Sequence, residues 1–404
     1  MRPLFLTCVA AAFAVTAGPA FAQNATPAAA ALGESLPAAG WTFTPAATVS
    51  RTWDDNPLMQ NTDSAPSGDF ISTFSPRADL SYNSPRNTLS ANYTGAFELY
   101  RQFDSLNNYG QQENLTVKHR TSARTTFFAQ QALAITPTTE QLLLIGVPFL
   151  RVGATVADAK VGVDHAFSKH TSVELTYDFQ WVAFDKNPAY GAVLLGGRGH
   201  TGGGTIKHQM TARTALIADY GLEHANIVGG STFTVQTGLV GAEHRFSSSF
   251  SVFAEGGASH VRQTAFDTSR TSPSWRAGAT RQFHRFSLDA SYARSFLPAF
   301  GVGNTLESRD LGAHGRVEIS RKLYAEGGLD KRLDSPLANA PNPLGIGPIH
   351  SLWFTSLVGY TASRWLHIEG FFSATHQEVL RPGGEVDRNR IGLQVVTTKP
   401  MRVR

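Results

Sequence analysis

Apolar and polar side chains alternate along many stretches of this chain. In the segment 172–181 the odd-numbered residues are Val, Leu, Tyr, Phe and Trp, and the even-numbered ones are Ser, Glu, Thr, Asp and Gln. Side chains two apart in a β-strand share a face, so this segment has one apolar and one polar surface. Such runs last roughly ten to fourteen residues, which exceeds the five or six typical of a soluble sandwich and suits a membrane-crossing strand.

Short turns that carry a basic residue, most of them rich in Ser or Thr, recur roughly every 36 to 47 positions between these runs, with one interval about twice as long. They lie at 84–86, 121–124, 168–171, 211–214, 283–285, 320–322 and 363–365. The alternate connections are longer and cover 54–69, 137–148, 185–197 and 335–347. In bacterial outer-membrane barrels short turns face the periplasm and long loops face outward, so both termini are expected on the periplasmic side.

The chain is therefore predicted to be all-β, a single transmembrane antiparallel up-and-down β-barrel over residues 41–404. About eighteen strands are expected, with sixteen as the alternative, and a barrel of that size leaves an aqueous channel. The predicted strands lie near 41–53, 70–83, 88–103, 109–120, 125–136, 149–167, 172–184, 199–210, 214–226, 230–246, 250–264, 270–283, 286–297, 305–319, 323–334, 348–361, 365–378 and 386–398.

The N-terminus predicts export. Arg2 precedes an apolar stretch at 4–15, and Ala20-Phe21-Ala22 has the small-x-small pattern of a secretory cleavage site. Residues 1–22 are thus expected to be a cleaved signal peptide and 23–40 an Ala/Pro-rich periplasmic tail. The one cysteine, Cys8, lies in the signal segment, so the mature chain is expected to have no disulfide and no cysteine metal site.

Composition narrows the possible functions. Hydrophobic residues make up 42% of the chain, and no apolar run of about 18 residues follows the signal segment, so we expect no membrane-spanning helix. The sequence pI near 9.2 would suit nucleic acid, but the basic residues are scattered, and no nucleic-acid partner is expected. Gly-x-Ser-x-Gly is absent, the glycines at 199–204 are not followed by the Lys of a phosphate loop, and the 13 histidines show no zinc-type spacing. We therefore expect no enzyme, no cofactor and no metal.

The first strands carry a resemblance to a known family. Trp53-Asp54-Asp55-Asn56-Pro57-Leu58 is followed by Gly-Asp-Phe-Ile-Ser-Thr-Phe-Ser-Pro at 68–76, Leu-Ser-Tyr at 80–82, and Leu-Ser-Ala-Asn-Tyr at 89–93 after the 84–86 turn. Over residues 41–103 the chain resembles the outer-membrane β-barrel porins often encoded beside exopolysaccharide genes. The resemblance implies an outer-membrane barrel, with passage of an exported polymer as one suggested role, and it implies no catalytic residues.

One departure from outer-membrane barrels concerns the last residues. Such barrels usually end on an aromatic residue, whereas this chain ends Pro400-Met401-Arg402-Val403-Arg404. The segment 390–396 has the alternation of a terminal strand without that closing aromatic. The sequence therefore predicts a barrel that lacks the usual C-terminal assembly signal.

Charged residues on the polar face recur at one height. At about 3.3 Å per residue and a tilt near 40°, five residues beyond a turn climb roughly 13 Å, about half of the apolar band. A charge facing lipid at that depth is costly, so these side chains are expected in the lumen. They would either select solutes by size and sign or form a ladder of ion pairs that stiffens the wall. The acidic residues are Glu174, Asp219, Glu255, Asp289, Glu326 and Glu369, and the basic ones are Lys118, Lys207, Arg276, Arg316 and Arg390.

Two predicted loops are unexpectedly apolar. They read Gln-Leu-Leu-Leu-Ile-Gly-Val-Pro at 141–148 and Ala-Val-Leu-Leu-Gly-Gly at 192–197. Such segments would be poorly solvated in water. They are expected either to fold inward and narrow the mouth, or to pack on each other and on the rim.

The leading functional hypothesis is a non-enzymatic outer-membrane channel, either a diffusion porin or the outer-membrane step of exopolysaccharide export. A lipid-active outer-membrane enzyme and a structural or adhesive barrel without a conducting pore are the alternatives. The expected partners are outer-membrane lipid, small solutes or a polysaccharide, and exopolysaccharide export machinery. The sequence does not name the solute.

Overall fold

The computed structural model describes residues 39–142, 146–186, 194–228, 232–264, 268–301, 303–337, 347–380 and 384–403. The predicted signal peptide, and all but the last two residues of the predicted 23–40 tail, lie outside this part of the chain. The described strands are β1 Gly40–Asp54, β2 Asp69–Asn83, β3 Asn87–Tyr100, β4 Asn108–Arg120, β5 Thr125–Thr136, β6 Ala154–Ala166, β7 Thr171–Phe184, β8 Gly197–Gln209, β9 Thr214–Ile227, β10 Thr232–Ser247, β11 Phe250–Gln263, β12 Thr268–Gln282, β13 Phe286–Ala299, β14 Asn304–Glu318, β15 Leu323–Pro336, β16 Ile349–Ser363, β17 Leu366–Val379, β18 Gly384–Thr398 and β19 Met401–Val403.

The strands form one closed antiparallel sheet. Each long strand pairs with the next, and β1 pairs with β18 from Ala46 opposite Thr398 to Asp54 opposite Arg390. The short β19 continues this seam beside the first residues of β1. The prediction of an all-β barrel is confirmed, with eighteen long strands rather than sixteen.

The two faces of the sheet differ as the alternation predicted. Large apolar side chains on the outer face are exposed, including Leu175 at 54%, Val240 at 67% and Leu393 at 66%. Their neighbours along each strand, such as Glu174 and Gln394, face the interior. An apolar outside and a polar inside reverse the arrangement of a soluble barrel.

The recurring short turns have a common chemical basis. In the turn before β7, the Ser168 hydroxyl accepts hydrogen bonds from the backbone N–H groups of His170 and Thr171 at 3.1 and 3.0 Å. Thr211 accepts the equivalent bonds from Arg213 and Thr214 at 3.2 and 3.0 Å. A hydroxyl at the first turn position thus satisfies the backbone donors that a tight reversal would leave unpaired. We call this side of the barrel the turn end and the opposite side the loop end.

One pair of neighbouring strands is not hydrogen-bonded over its whole length. Strands β12 and β13 pair only between Trp275 opposite Arg294 and the turn end. Pro273 and Pro298 lie toward the loop end, where β12 and β13 pair only with their other neighbours, and a proline without an N–H is tolerated at such an edge. Beyond Arg294, Phe296 of β13 is buried against the inward-facing Val235 and Val261 and against Leu337, so the β13–β14 hairpin leans into the interior.

The structure moves one predicted boundary substantially. The strand predicted at 149–167 begins instead at Ala154, because residues 149–153 belong to a connection that enters the barrel. Among the described residues, no helix has both the length and the hydrophobicity needed to cross a bilayer.

Candidate functional site in the barrel interior

The strand register places all eleven predicted charged residues on the inner face. Residues directly opposite in paired strands share a face, which links Glu174 through Thr205 to Asp219. The same rule relates Glu255 to Arg276 and Arg316 to Glu326. The polar phase of the sequence therefore identifies which way these side chains point. That they line a conducting pore stays a prediction.

One group of these residues ties strands β9, β11 and β12 together. Nη2 of Arg276 lies 2.6 Å from Oδ2 of Asp219, and its Nε donates to the carboxylate of Glu255. A Cβ at Gly241 on the intervening β10 would lie 2.0 Å from the carbonyl oxygen of Ala254, so no other residue fits beside Glu255. The guanidinium thus holds two carboxylates in place along one part of the wall.

A second group lies on β14, β15, β17 and β18. Arg316 donates to the carboxylate of Glu326, and its guanidinium lies over the ring of Tyr324 at 4.5 Å from the centroid. The Tyr324 hydroxyl and the Gln394 amide both donate to Glu369. These contacts agree with the ladder of cross-strand pairs that sequence analysis gave as one alternative.

In the described part of the chain, the remaining predicted residues do not pair with one another. Lys207 pairs with Glu243 of β10 and not with any of the six predicted acids. The carboxylate of Asp289 is 61% exposed and lies 3.4 Å from Nδ1 of His314. Within the described ranges, neither the Glu174 nor the Lys118 side chain forms a hydrogen bond or an ion pair. These two residues retain the charge that a solute-selecting interior would need.

Arg390 stands apart from the predicted group at mid-height. It has the expected inward phase, but its register partner is Asp54, the last residue of β1 at the loop end. Because the strands are tilted, residues that are opposite each other on successive strands lie at successively different heights in the barrel. Counting residues from a turn along one strand therefore does not give the height of Arg390. Arg390 therefore belongs to the mouth.

Neutralising one arginine-paired acid and one unpaired acid distinguishes bracing of the wall from selection of solutes. Glu255→Gln removes the charge-assisted bond to Arg276 and is expected to lower the free energy of unfolding by about 1–3 kcal/mol. Glu174→Gln should leave stability nearly unchanged and shift ion selectivity toward anions, because Glu174 has no such bond to lose. Denaturant unfolding and reversal-potential measurements on both variants test this. An equal loss of stability in the two variants would contradict it.

The connection between β5 and β6 fills the mouth of the barrel. Residues 137–153 turn inward after Thr136 and include a short 3-10 helix, Thr139–Leu142. The Thr139 hydroxyl lies 2.6 Å from the carbonyl oxygen of Pro148 and accepts from the Leu150 N–H at 2.8 Å, which closes the segment on itself. We call residues 137–153 the mouth loop; positions 143–145 lie outside the described residues.

The mouth loop crosses the interior to the opposite wall. The Gly146 N–H donates to Oδ2 of Asp334 on β15 at 2.9 Å, and the Phe149 N–H donates to Oε1 of Gln377 on β17 at 2.6 Å. Nε1 of Trp353 on β16 donates to the carbonyl oxygen of Glu140 at 3.3 Å. Gly146 has φ of 65°, a conformation that favours glycine, so this residue type is required where the loop meets Asp334.

A buried group of four charges anchors the mouth loop to the seam of the barrel. Nη2 of Arg388 lies 2.6 Å from Oδ2 of Asp54, and its Nη1 donates to Glu140 of the mouth loop. Arg390 contacts the same two carboxylates at 3.2 and 2.9 Å. The side chains of Arg388 and Asp54 are 2% and 0% exposed, so the pairing is shielded from water. We call Asp54, Glu140, Arg388 and Arg390 the latch.

Apolar packing completes the closure. Leu142 and Val147 of the mouth loop, Leu194 of the β7–β8 connection and Phe300 of the β13–β14 connection are buried in one cluster with inward-facing wall residues such as Phe233. Leu195 and Gly301 exchange two backbone hydrogen bonds at 3.0 and 2.7 Å. Both apolar segments therefore pack inside the mouth, in their described parts.

The two ends of the interior differ. At the loop end, inward-facing wall residues such as Val156 and Phe233 are fully buried under the connections. Toward the turn end, inward-facing Lys118 and Gln130 are exposed. Inward-facing side chains are thus in contact with solvent toward the turn end and buried under the connections at the loop end.

Sequence analysis missed the latch and the position of the mouth loop. Asp54 was noted only in the family resemblance, and neither Arg388 nor Glu140 was singled out. The sequence did contain an indication of the latch, because Arg388 and Arg390 both have the inward phase of β18. Two arginines side by side inside a barrel need acidic partners nearby. No local pattern in the sequence connects them to Glu140.

Comparison with known proteins gives a distant structural likeness. No family model matches the chain, and no curated protein matches it. Pseudomonas aeruginosa OpdO superposes with a TM-score of 0.46 and 10% identity, covering 90% of this chain and 98% of that chain. Acinetobacter baumannii OccAB4 gives the same values, and the Pseudomonas aeruginosa outer membrane protein OpdK gives a TM-score of 0.44, 10% identity, and 89% and 99% coverage. Likeness at this level does not extend to function, and the barrel assignment rests on the strand pairing described above.

Proposed function

We propose that this protein is an outer-membrane channel whose loop end is closed by the mouth loop and which conducts when that loop moves. The observation that carries the proposal is the combination of charged, solvent-contacting side chains inside the barrel with a loop that crosses its mouth and packs there against two other connections. The function requires no catalytic residue.

The faces of the barrel support the membrane location. A closed sheet satisfies every backbone group that pairs within it, which is the condition for a β-structure in lipid. The exposed apolar outer face would be costly in water. A signal peptide at residues 1–22, if cleaved as the sequence predicts, would bring the chain to the periplasm for insertion. The turn end would then face the periplasm and the loop end the exterior.

The construction of the closure supports a channel over a purely structural barrel. The mouth loop is held by hydrogen bonds to the side chains of Asp334 and Gln377, by the latch and by apolar packing, and in its described part it forms no strand ladder with the wall it reaches. A loop without such a ladder can move as a unit while the wall stays paired, as active-site lids and channel gates do. Moving this loop would expose a barrel of eighteen strands, which is wide enough for water and solutes.

The diffusion-porin and polymer-export forms of the hypothesis differ in the class of solute that passes. A diffusion porin would pass small solutes, whereas the outer-membrane step of exopolysaccharide export would pass a flexible chain. Only the family resemblance of residues 41–103 favours the polymer. The unpaired charges of Glu174 and Lys118 fit either case, because both would sort solutes by sign.

Recordings in planar bilayers test the proposal. The purified protein is expected to insert, remain closed most of the time, and show brief openings. Neutral polyethylene glycols of graded size should reduce the open current only below a cut-off, which measures the bore and separates small solutes from a polymer. Release of fatty acid from the same lipids, with no current, would favour the lipid-active alternative. Inserted protein that never conducts would favour the structural barrel.

A further inference from the structure

Three potential metal ligands converge on the outer face of the β17–β18 hairpin. His376 and Asp387 are directly opposite in register, and Glu385 is two residues from Asp387 on the same face. Nδ1 of His376 lies 2.8 Å from Oδ1 of Asp387 and 3.5 Å from Oε1 of Glu385. One ligand atom from each residue lies within 4.8 Å of the others.

These distances suit a small divalent ion. Bonds of about 2.0 to 2.1 Å in tetrahedral zinc sites place the ligand atoms roughly 3.3 Å apart. The two distances from His376 lie on either side of that value. One imidazole nitrogen and two carboxylate oxygens are also donors that zinc accepts, with a fourth position left for water.

The charge of this surface favours a cation. Glu378, the next outward residue of β17, is directly opposite Glu385 and is itself 3.5 Å from Nδ1 of His350 on β16. Like charges directly opposite in a sheet are unfavourable. In the described part of the chain, the basic side chains within 4.0 Å of these three carboxylates are the two histidines, and no lysine or arginine is among them.

A neighbouring loop orients one of the ligands. The Thr62 hydroxyl, from the connection between β1 and β2, lies 3.2 Å from Oδ2 of Asp387 and 3.0 Å from the carbonyl oxygen of Glu385. The Asn56 amide donates to the backbone carbonyl of Asp387 at 2.8 Å. Such outer contacts fix the direction of a ligand and are typical of metal sites.

We propose that His376, Glu385 and Asp387 bind a divalent transition metal, for which zinc is the best fit, on the outer rim of the barrel. The site would brace the β17–β18 hairpin next to the β1–β2 connection. This revises the expectation of no metal that the histidine spacing gave. The ligands are split between two strands, so only the pairing register brings them together.

Zinc titration of the full-length protein in detergent tests the proposal. Calorimetry is expected to show one saturable zinc ion per chain, and zinc should raise the midpoint of thermal unfolding because it binds the folded state. His376→Gln and Asp387→Asn should each weaken binding by at least tenfold and abolish that thermal shift.

A matched control distinguishes this site from general binding by surface histidines. His260 is also on the outer face and contacts Thr271 with its Nδ1 at 2.8 Å. His260→Gln should bind zinc as the unmodified protein does. The proposal is overturned if zinc does not saturate, if His376→Gln still binds with unchanged affinity, or if His260→Gln weakens binding equally.

Discussion

Replacing residues 140–149 with a glycine–serine segment of the same length is expected to raise the time-averaged conductance about tenfold or more, because it removes the side chains that fix the crossing loop in the mouth of a barrel wide enough for an aqueous channel. The replacement removes Glu140 from the latch, Leu142 and Val147 from the apolar cluster, and Phe149 from its contact with Trp353. Equal length keeps the connection between β5 and β6 free of strain. Planar-bilayer recording measures the result.

Two comparisons make this experiment decisive. Far-ultraviolet circular dichroism and resistance to unfolding in detergent show whether the variant barrel is still folded. A glycine–serine replacement of the exposed turn 121–124, at the opposite end, should leave conductance unchanged. A folded mouth-loop variant with the conductance of the unmodified protein would show that the loop does not obstruct passage.

Arg388→Met is expected to lower the free energy of unfolding by about 3–5 kcal/mol, the usual cost of removing one partner from a buried ion pair. The change leaves Asp54 and Glu140 with Arg390 as their remaining partner in the latch. The excess negative charge should release the mouth loop, so openings should become more frequent as well. Denaturant unfolding and single-channel recording on the same preparation measure both effects.

A compensating variant and a matched control sharpen this test. Arg388→Met combined with Glu140→Gln leaves Asp54 balanced by Arg390, so stability should recover in part while the openings stay frequent. Arg77→Met breaks a pair with Asp79 whose side chains are 23% and 25% exposed, and it should cost less than about 1 kcal/mol. A similar loss in Arg77→Met and Arg388→Met would refute the special role of the latch.

The barrel could be predicted from the sequence because its determinants are local. Alternation with a period of two defines each strand and its inward face, and the Ser/Thr hydroxyls that satisfy the turn backbone lie within three residues of the groups they bind. The strand count and the inward direction of residues such as Glu255 and Arg316 follow from these two features.

The partners of the interior residues could not be predicted in the same way. Lys207 on β8 reaches across β9 to Glu243 on β10, which depends on side-chain length and on register between three strands. The apolar run at 141–148 correctly indicated burial, but an apolar sequence does not show which part of the protein will cover it. The predicted strand start at 149 was wrong because apolar residues of the mouth loop continue directly toward β6.

The long reach of the mouth loop has a consequence for the order of folding. Its bonds join residues 188 positions apart at Gly146 and Asp334, and 248 apart at Glu140 and Arg388. Contacts of such separation carry a large loop-closure entropy and cannot form before β15 and β18 are in place. Interactions that form after the transition state govern the rate of unfolding and leave the rate of folding nearly unchanged. The mouth is therefore expected to fill only late in assembly, once strands β15 and β18 have taken their places in the wall.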